Sequence, residues 1–154
     1  MASQSAGTPT HALVSAVEVP DTGRTGIAVI LRDERRDTVY STSYTKYDTP
    51  LEAAAYEAIR EAILTARENG SRHMTVYCDV EDVVAQLNRQ QQPPDHLLTA
   101  NLQLRALFNT FRYAKVKLAQ SGNYFIAHKL AAGAAEGAAN STPLQHTLRL
   151  PSEV

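Results

Sequence analysis

The chain has 154 residues with one cysteine, 44% hydrophobic and 20% charged residues, and a net charge of −1. That length holds one domain with a substantial core, and a single cysteine excludes a disulfide framework. A charge so close to zero excludes a protein that coats nucleic acid by bulk electrostatics, while leaving room for a local basic patch.

Residues 1–10 are small and polar, and a disordered leader is expected there. No apolar run approaches a membrane span and the first ten residues lack a basic-then-apolar signal, so a cytoplasmic location is expected. The domain is expected over residues 11–139. It opens with ALVSAVEV, an apolar run ending at Pro20, followed by DTGRTG and then IAVIL. Two apolar runs joined through Asp-Thr-Gly predict a tight hairpin. RDERRD is an exposed turn, and TVYSTSYTKY, alternating and rich in Thr and Tyr, is a third strand.

Thr49, Pro50 and Glu52 have the spacing of a capping box with proline at the first helical position. Behind them Leu51, Ala54, Ala55, Ala58, Ile59, Ile63 and Ala66 share one helical stripe, and Gly70 is placed to end the helix in a left-handed cap. Met74, Val76 and Cys78 alternate as a buried strand that stops at Asp79, and a second helix follows. Cys78 is expected to be a small core residue in a reducing compartment. After the polar NRQQQPPDH, where Pro93-Pro94 blocks a helix, Asp95 can cap a third helix from His96 to about Arg112. AKVKLA is a fifth strand with Lys115 and Lys117 opposite Val116. NYFIAHKLAAGAAEGAAN is an alanine-rich last helix, and 140–154, without clear periodicity, is expected to be a mobile or partner-docking tail.

The order β-β-β-α-β-α-α-β-α resembles the ribonuclease H-like fold. RTGIAVILRD resembles that family's glycine-marked second strand, AAYEAIREAILTARENG its first helix, TVYCDVEDVVAQLN its fourth strand and following helix, and AHKLA its last-helix signature. The resemblance spans about residues 12–139 and implies an α/β domain with a mixed five-stranded sheet flanked by helices on both sides. Active members hold two magnesium ions with about four carboxylates, which clamp the attacking water and the leaving oxygen.

Carried onto this sequence, the first-helix glutamate falls on Ala55, the last-helix aspartate on His128, and the first-strand aspartate near Ala16 or on Glu18. Only Asp79 matches directly. The resemblance therefore implies a degenerate domain that binds nucleic acid, an RNA/DNA hybrid or RNA. The alternatives are a Mg2+- or Mn2+-dependent nuclease rebuilt on Glu18, Asp79 and His128, with Asp79 as the metal ligand, and a protein-interaction or homodimer module. Asp79 has a plainer role open to it, as N-cap of the helix that follows. His11, His73, His96 and His146 have no metal-ligand spacing. Arg105, Arg112, Lys115 and Lys117, interleaved with Phe111 and Tyr113, are the candidates for gripping a phosphate backbone.

Overall fold

A computed structural model describes residues 7–137, with the backbone alone for 121–124. Strands β1 (His11–Val19) and β2 (Arg24–Arg32) form the expected hairpin, in register from His11↔Arg32 to Val19↔Arg24. Its turn needs left-handed backbone at Asp21 (φ 63°) and Gly23 (φ 74°), and the Thr22 hydroxyl closes it onto the Val19 carbonyl at 2.7 Å. β3 (Thr38–Tyr47) pairs antiparallel with β2. Helix α1 (Leu51–Glu68) leads to β4 (His73–Cys78), α2 (Glu81–Leu87), a 3-10 turn (Asp95–Leu97), α3 (Leu98–Phe108), β5 (Tyr113–Leu118) and α4 (Ser121–Glu136). The sheet order is β3-β2-β1-β4-β5, with β4 parallel to both β1 and β5. This is the mixed five-stranded α/β architecture expected from the sequence. Among the described residues no helix is long and apolar enough to cross a membrane.

The alternation of β1 builds two cores of unequal size. Ala12, Val14 and Ala16 face the larger one, with Ile27, Val29, Leu31, Met74, Val76 and Cys78 beneath the alanine and isoleucine stripe of α1. Leu13 faces the smaller one, with Ala28 and Ile30 under Ala127 and Ala131 of α4. Helices therefore cover both faces, but unevenly: α4 lies over β1 and β2 and barely reaches β4. α4 is alanine-rich because it packs closely on the sheet: a Cβ on Gly26 of β2 would overlap the Ala131 carbonyl oxygen and stand 2.7 Å from the Ala135 nitrogen. Arg24 Nε donates to the Ala135 carbonyl (2.9 Å) and the Thr45 hydroxyl to the Ala134 carbonyl (2.7 Å), so sheet side chains satisfy the exposed carbonyls at the end of α4.

Three local expectations are corrected. The capping box does not form. Pro50 is the N-cap of α1 without a side-chain bond, and Thr49 donates to the Tyr47 carbonyl instead. Glu52 is drawn the other way, accepting from Gln86 at 3.3 Å. Gln86 is itself fixed by the buried Tyr56 hydroxyl at 2.8 Å, and Tyr56 accepts from Asn101 at 2.9 Å. The third helix is shorter than expected and starts at Leu98, with no cap from Asp95. Residues 7–10, assigned by sequence to a disordered leader, are held at their end: Thr10 bridges the Arg32 carbonyl and the Thr75 amide, and Ser71 bonds the Pro9 carbonyl. The tail at 140–154 lies outside the described residues.

Gly70 behaves as expected. It takes φ 89°, its amide bonds Arg67, and the Ser71 amide bonds Ala66, both at 3.0 Å, which is the paired closure of a Schellman motif.

Candidate functional site

Asp79 sits one residue past β4, at the C-terminal edge where open α/β sheets gather their chemistry. Its side chain is only 5% exposed. It does not cap α2, whose N-cap is Val80. It turns instead toward β1 and α4. The Ser15 hydroxyl donates to Oδ2 at 2.5 Å, the Ala16 amide donates to Oδ1 at 3.3 Å, and His128 Nδ1 stands 3.3 Å from Oδ2. Strand register explains the meeting. Val14 pairs with Cys78, so the next residues on each strand, Ser15 and Asp79, stand side by side and point to the α4 face.

Two of the three catalytic candidates, Asp79 and His128, are thus brought together. Glu18 is not. It lies three residues farther along β1, about 10 Å at a strand's rise, is exposed, and shares the phase of Ala12, Val14 and Ala16 that faces away from α4. The β1 residue that addresses Asp79 is Ser15, fully buried and not among the sequence candidates. Alternation relative to Leu13 could have pointed to it, had the pairing with β4 been known. The Ser15–Asp79–His128 order does not make a nucleophile, because the carboxylate lies between the hydroxyl and the imidazole. The Ser15 hydroxyl donates to the Asp79 carboxylate and not to the His128 imidazole that a triad would use as general base.

The four cationic candidates divide between the sheet's faces. Arg105 lies on α3, on the α1 side, reaching Asn101 at 3.4 Å. Lys115 and Lys117 pair with Thr75 and Tyr77 on the opposite face, and Arg112 is exposed at the entry to β5. Burial pushes the Cys78 thiol up to about 12, as befits a core residue. A surface hollow of about 920 Å3 opens at the other end of the sheet, among residues 7–10, the β2–β3 turn and His73, and contains none of the catalytic candidates.

The pattern of one sequence family, described as reverse transcriptase-like, matches residues 14–134. The chain belongs to that family. Its fold is that of a ribonuclease H-like domain, and three solved structures share it. Ribonuclease H1 of the halophilic archaeon Halobacterium salinarum is 20% identical with a TM-score of 0.73, over 82% of this chain and 96% of that one. The N-terminal RNase H domain of a Mycobacterium tuberculosis protein, determined as a fusion with maltose-binding protein, is 18% identical with a TM-score of 0.75, over 84% and 94%. LC11-RNase H1, isolated from compost and determined in complex with an RNA/DNA hybrid, is 18% identical with a TM-score of 0.73, over 84% and 99%. No curated protein matches the chain by sequence.

The donor set of this ribonuclease H-like domain does not fit a pair of hard divalent cations. Such ions need several oxygen ligands. Here the Asp79 carboxylate already accepts from a hydroxyl and a backbone amide. Ala55 is a fully buried methyl. Among the described residues no three His, Cys, Asp or Glu side chains are grouped to hold a metal ion.

Proposed function

We propose that this ribonuclease H-like domain is catalytically silent and acts by binding nucleic acid. The observation that supports the first half is Asp79. Among the described residues it is the carboxylate enclosed at the C-terminal edge of β4, and it is used internally as a brace that joins β1, β4 and α4 through Ser15, Ala16 and His128. Support for the second half comes from charge placement. On a chain of net charge −1, Lys115 and Lys117 lie on one open face beside Tyr77 and Tyr113. The similar LC11-RNase H1 was determined with an RNA/DNA hybrid bound, so the fold can present such a surface.

The test is a labelled RNA/DNA hybrid incubated with wild type and Asp79→Asn in Mg2+ and in Mn2+, followed by a binding titration at two salt concentrations. The expected result is no cleavage by either protein, with binding that weakens steeply as salt rises. Cleavage by wild type that Asp79→Asn abolishes would refute catalytic silence. Absence of binding even at low salt, to the hybrid and to its RNA strand alone, would refute the nucleic-acid reading.

A further inference from the structure

Because α4 barely reaches β4, half of one sheet face carries no helix among the described residues. The register defines what stands on it. One row runs Arg32, His11, Thr75, Lys115 across β2, β1, β4 and β5; the next carries Tyr77 and Lys117; the row before begins with His73 and Tyr113. Four rings therefore line this face in two pairs. His11 and Tyr77 are 6.4 Å apart and within 8° of parallel, and His73 and Tyr113 are 6.5 Å apart. Lys115 Nζ lies 5.4 Å from the Tyr113 centroid. Among the described residues of these strands, the only carboxylate of the same phase is Asp79, and it is enclosed.

A second observation points to the same ligand. At the β1–β2 margin of this face, His11, Leu13, Arg32, Arg36 and Tyr77 line a small pocket of about 70 Å3. Arg32 lines this pocket, and its Nε, shielded from solvent, finds no hydrogen-bond partner among the described residues, so an oxygen in the pocket meets it once the side chain turns outward. A buried guanidinium donor left unmet is costly, and a phosphate oxygen is the acceptor its geometry suits. The two arginines also hold the His11 pKa below its usual value, after the effect of burial.

Deepening the binding reading above, on which this inference rests, we propose that the open β1–β4–β5 face is a stacking platform for single-stranded RNA. Bases lie on Tyr113 and His73 and on Tyr77 and His11, and phosphates lie at Lys115, Lys117 and the Arg32–Arg36 pocket. Two exposed rings, His73 and Tyr113, and two half-buried ones, His11 and Tyr77, interleaved with cations on a sheet suit splayed bases, since every base offers a π-face. A duplex has its base faces already stacked and cannot use the rings. The width agrees, because three neighbouring strands span about 10 Å, room for one strand of bases. The choice of RNA rests on Thr75, which stands between His11 and Lys115 in this row and whose hydroxyl can exchange hydrogen bonds with a 2′-hydroxyl that DNA lacks.

Fluorescence anisotropy of the full chain with a labelled 12-nucleotide RNA, the matching single-stranded DNA and the RNA/DNA hybrid tests this. The single-stranded RNA is expected to bind most tightly. Tyr113→Ala is expected to weaken it about tenfold, and Lys115→Ala to weaken it and lower its salt dependence. Arg60→Ala on exposed α1 should leave it unchanged. Both platform residues are surface side chains, and a thermal melt of each variant confirms folding. Hybrid binding without RNA binding would overturn the platform and leave the broader nucleic-acid reading standing. Binding of neither would overturn both. RNA binding untouched by Tyr113→Ala and His73→Ala would overturn the platform alone, and equal affinity for DNA would overturn the assignment to RNA.

Discussion

The close seat of α4 on the sheet makes Gly26 the position where one methyl group should do most harm. In Gly26→Ala the new Cβ would overlap the Ala131 carbonyl and stand 2.7 Å from the Ala135 nitrogen. Both are helix backbone atoms, so no side chain can swing aside, and α4 must back away by roughly 1 Å to reach ordinary contact. A shift of that size takes the Arg24–Ala135 and Thr45–Ala134 bonds, now 2.9 and 2.7 Å, out of good geometry. Overpacking costs about 1–3 kcal/mol, and each lost hydrogen bond about 1 kcal/mol. The total, about 3–5 kcal/mol, corresponds to a melting temperature lower by roughly 6–20 °C for a chain of this size. Circular dichroism melts and urea titrations measure it. Gly133→Ala, on the same helix, is the internal control, since its Cβ meets nothing within 4 Å. There the better helix propensity of alanine should raise stability by up to about 1 kcal/mol. A Gly26→Ala melt within about 2 °C of wild type would refute the argument that this glycine sets the helix–sheet distance.

Further outcomes follow from buried groups and from the catalytic edge. Tyr56→Phe leaves Gln86 Oε1 without its buried donor and should cost about 1–3 kcal/mol in urea unfolding; an unchanged midpoint would show that another donor fills in. The Cys78 thiol, pushed up to about 12 and fully buried, should resist a thiol reagent at pH 8 until denaturant unfolds the domain. His11 has its folded pKa lowered by burial, Arg36 and Arg32. The unfolded chain therefore takes up its proton first, and stability that is complete above pH 6.5 should fall as pH drops below that value. His11→Gln should flatten the acid side of that curve, and curves that superimpose would discount the histidine. Installing carboxylates at the catalytic edge, Ser15→Asp with His128→Asp, should give a domain whose melting temperature rises in Mg2+ relative to EDTA. Wild type, with Asp79 braced, should show no such shift, and a magnesium-dependent rise in wild type would contradict the brace.

Most of the fold was legible because its punctuation is local. The Asp-Thr-Gly turn, Gly70, Pro93-Pro94 and the change from period two to a helical stripe after Pro50 each act within a few residues. What escaped was set by partners distant in sequence. The capping box at Thr49 and Glu52 is a sound local pattern, yet Gln86, anchored by Tyr56, takes Glu52 away. Ser15 escaped for a sharper reason. A strand's face is fixed by its pairing, and an error of one residue exchanges inside for outside, so Ala16 and Glu18 fall on the wrong phase once Val14 is seen to pair with Cys78.

The basic cluster shows the same limit on a larger scale. Arg105 and Lys115 are ten residues apart in a stretch that reads as one charged surface, but the turn into β5 carries them to opposite sides of the sheet. The arginine on the side of Lys115 comes instead from β2, through the pairing of Arg32 with His11 and of His11 with Thr75. The proposed binding surface, gathered from four strands by register, leaves little trace in any one of them. Double substitutions therefore probe it best. Lys115→Ala and Arg32→Ala, far apart in sequence, should each lower the salt dependence of RNA binding and do so cumulatively if one bound strand touches both. Lys115→Ala combined with Arg105→Ala should show no more loss than Lys115→Ala alone. Equal losses from the two combinations would mean that the ligand wraps the edge of β5 rather than lying on the open face.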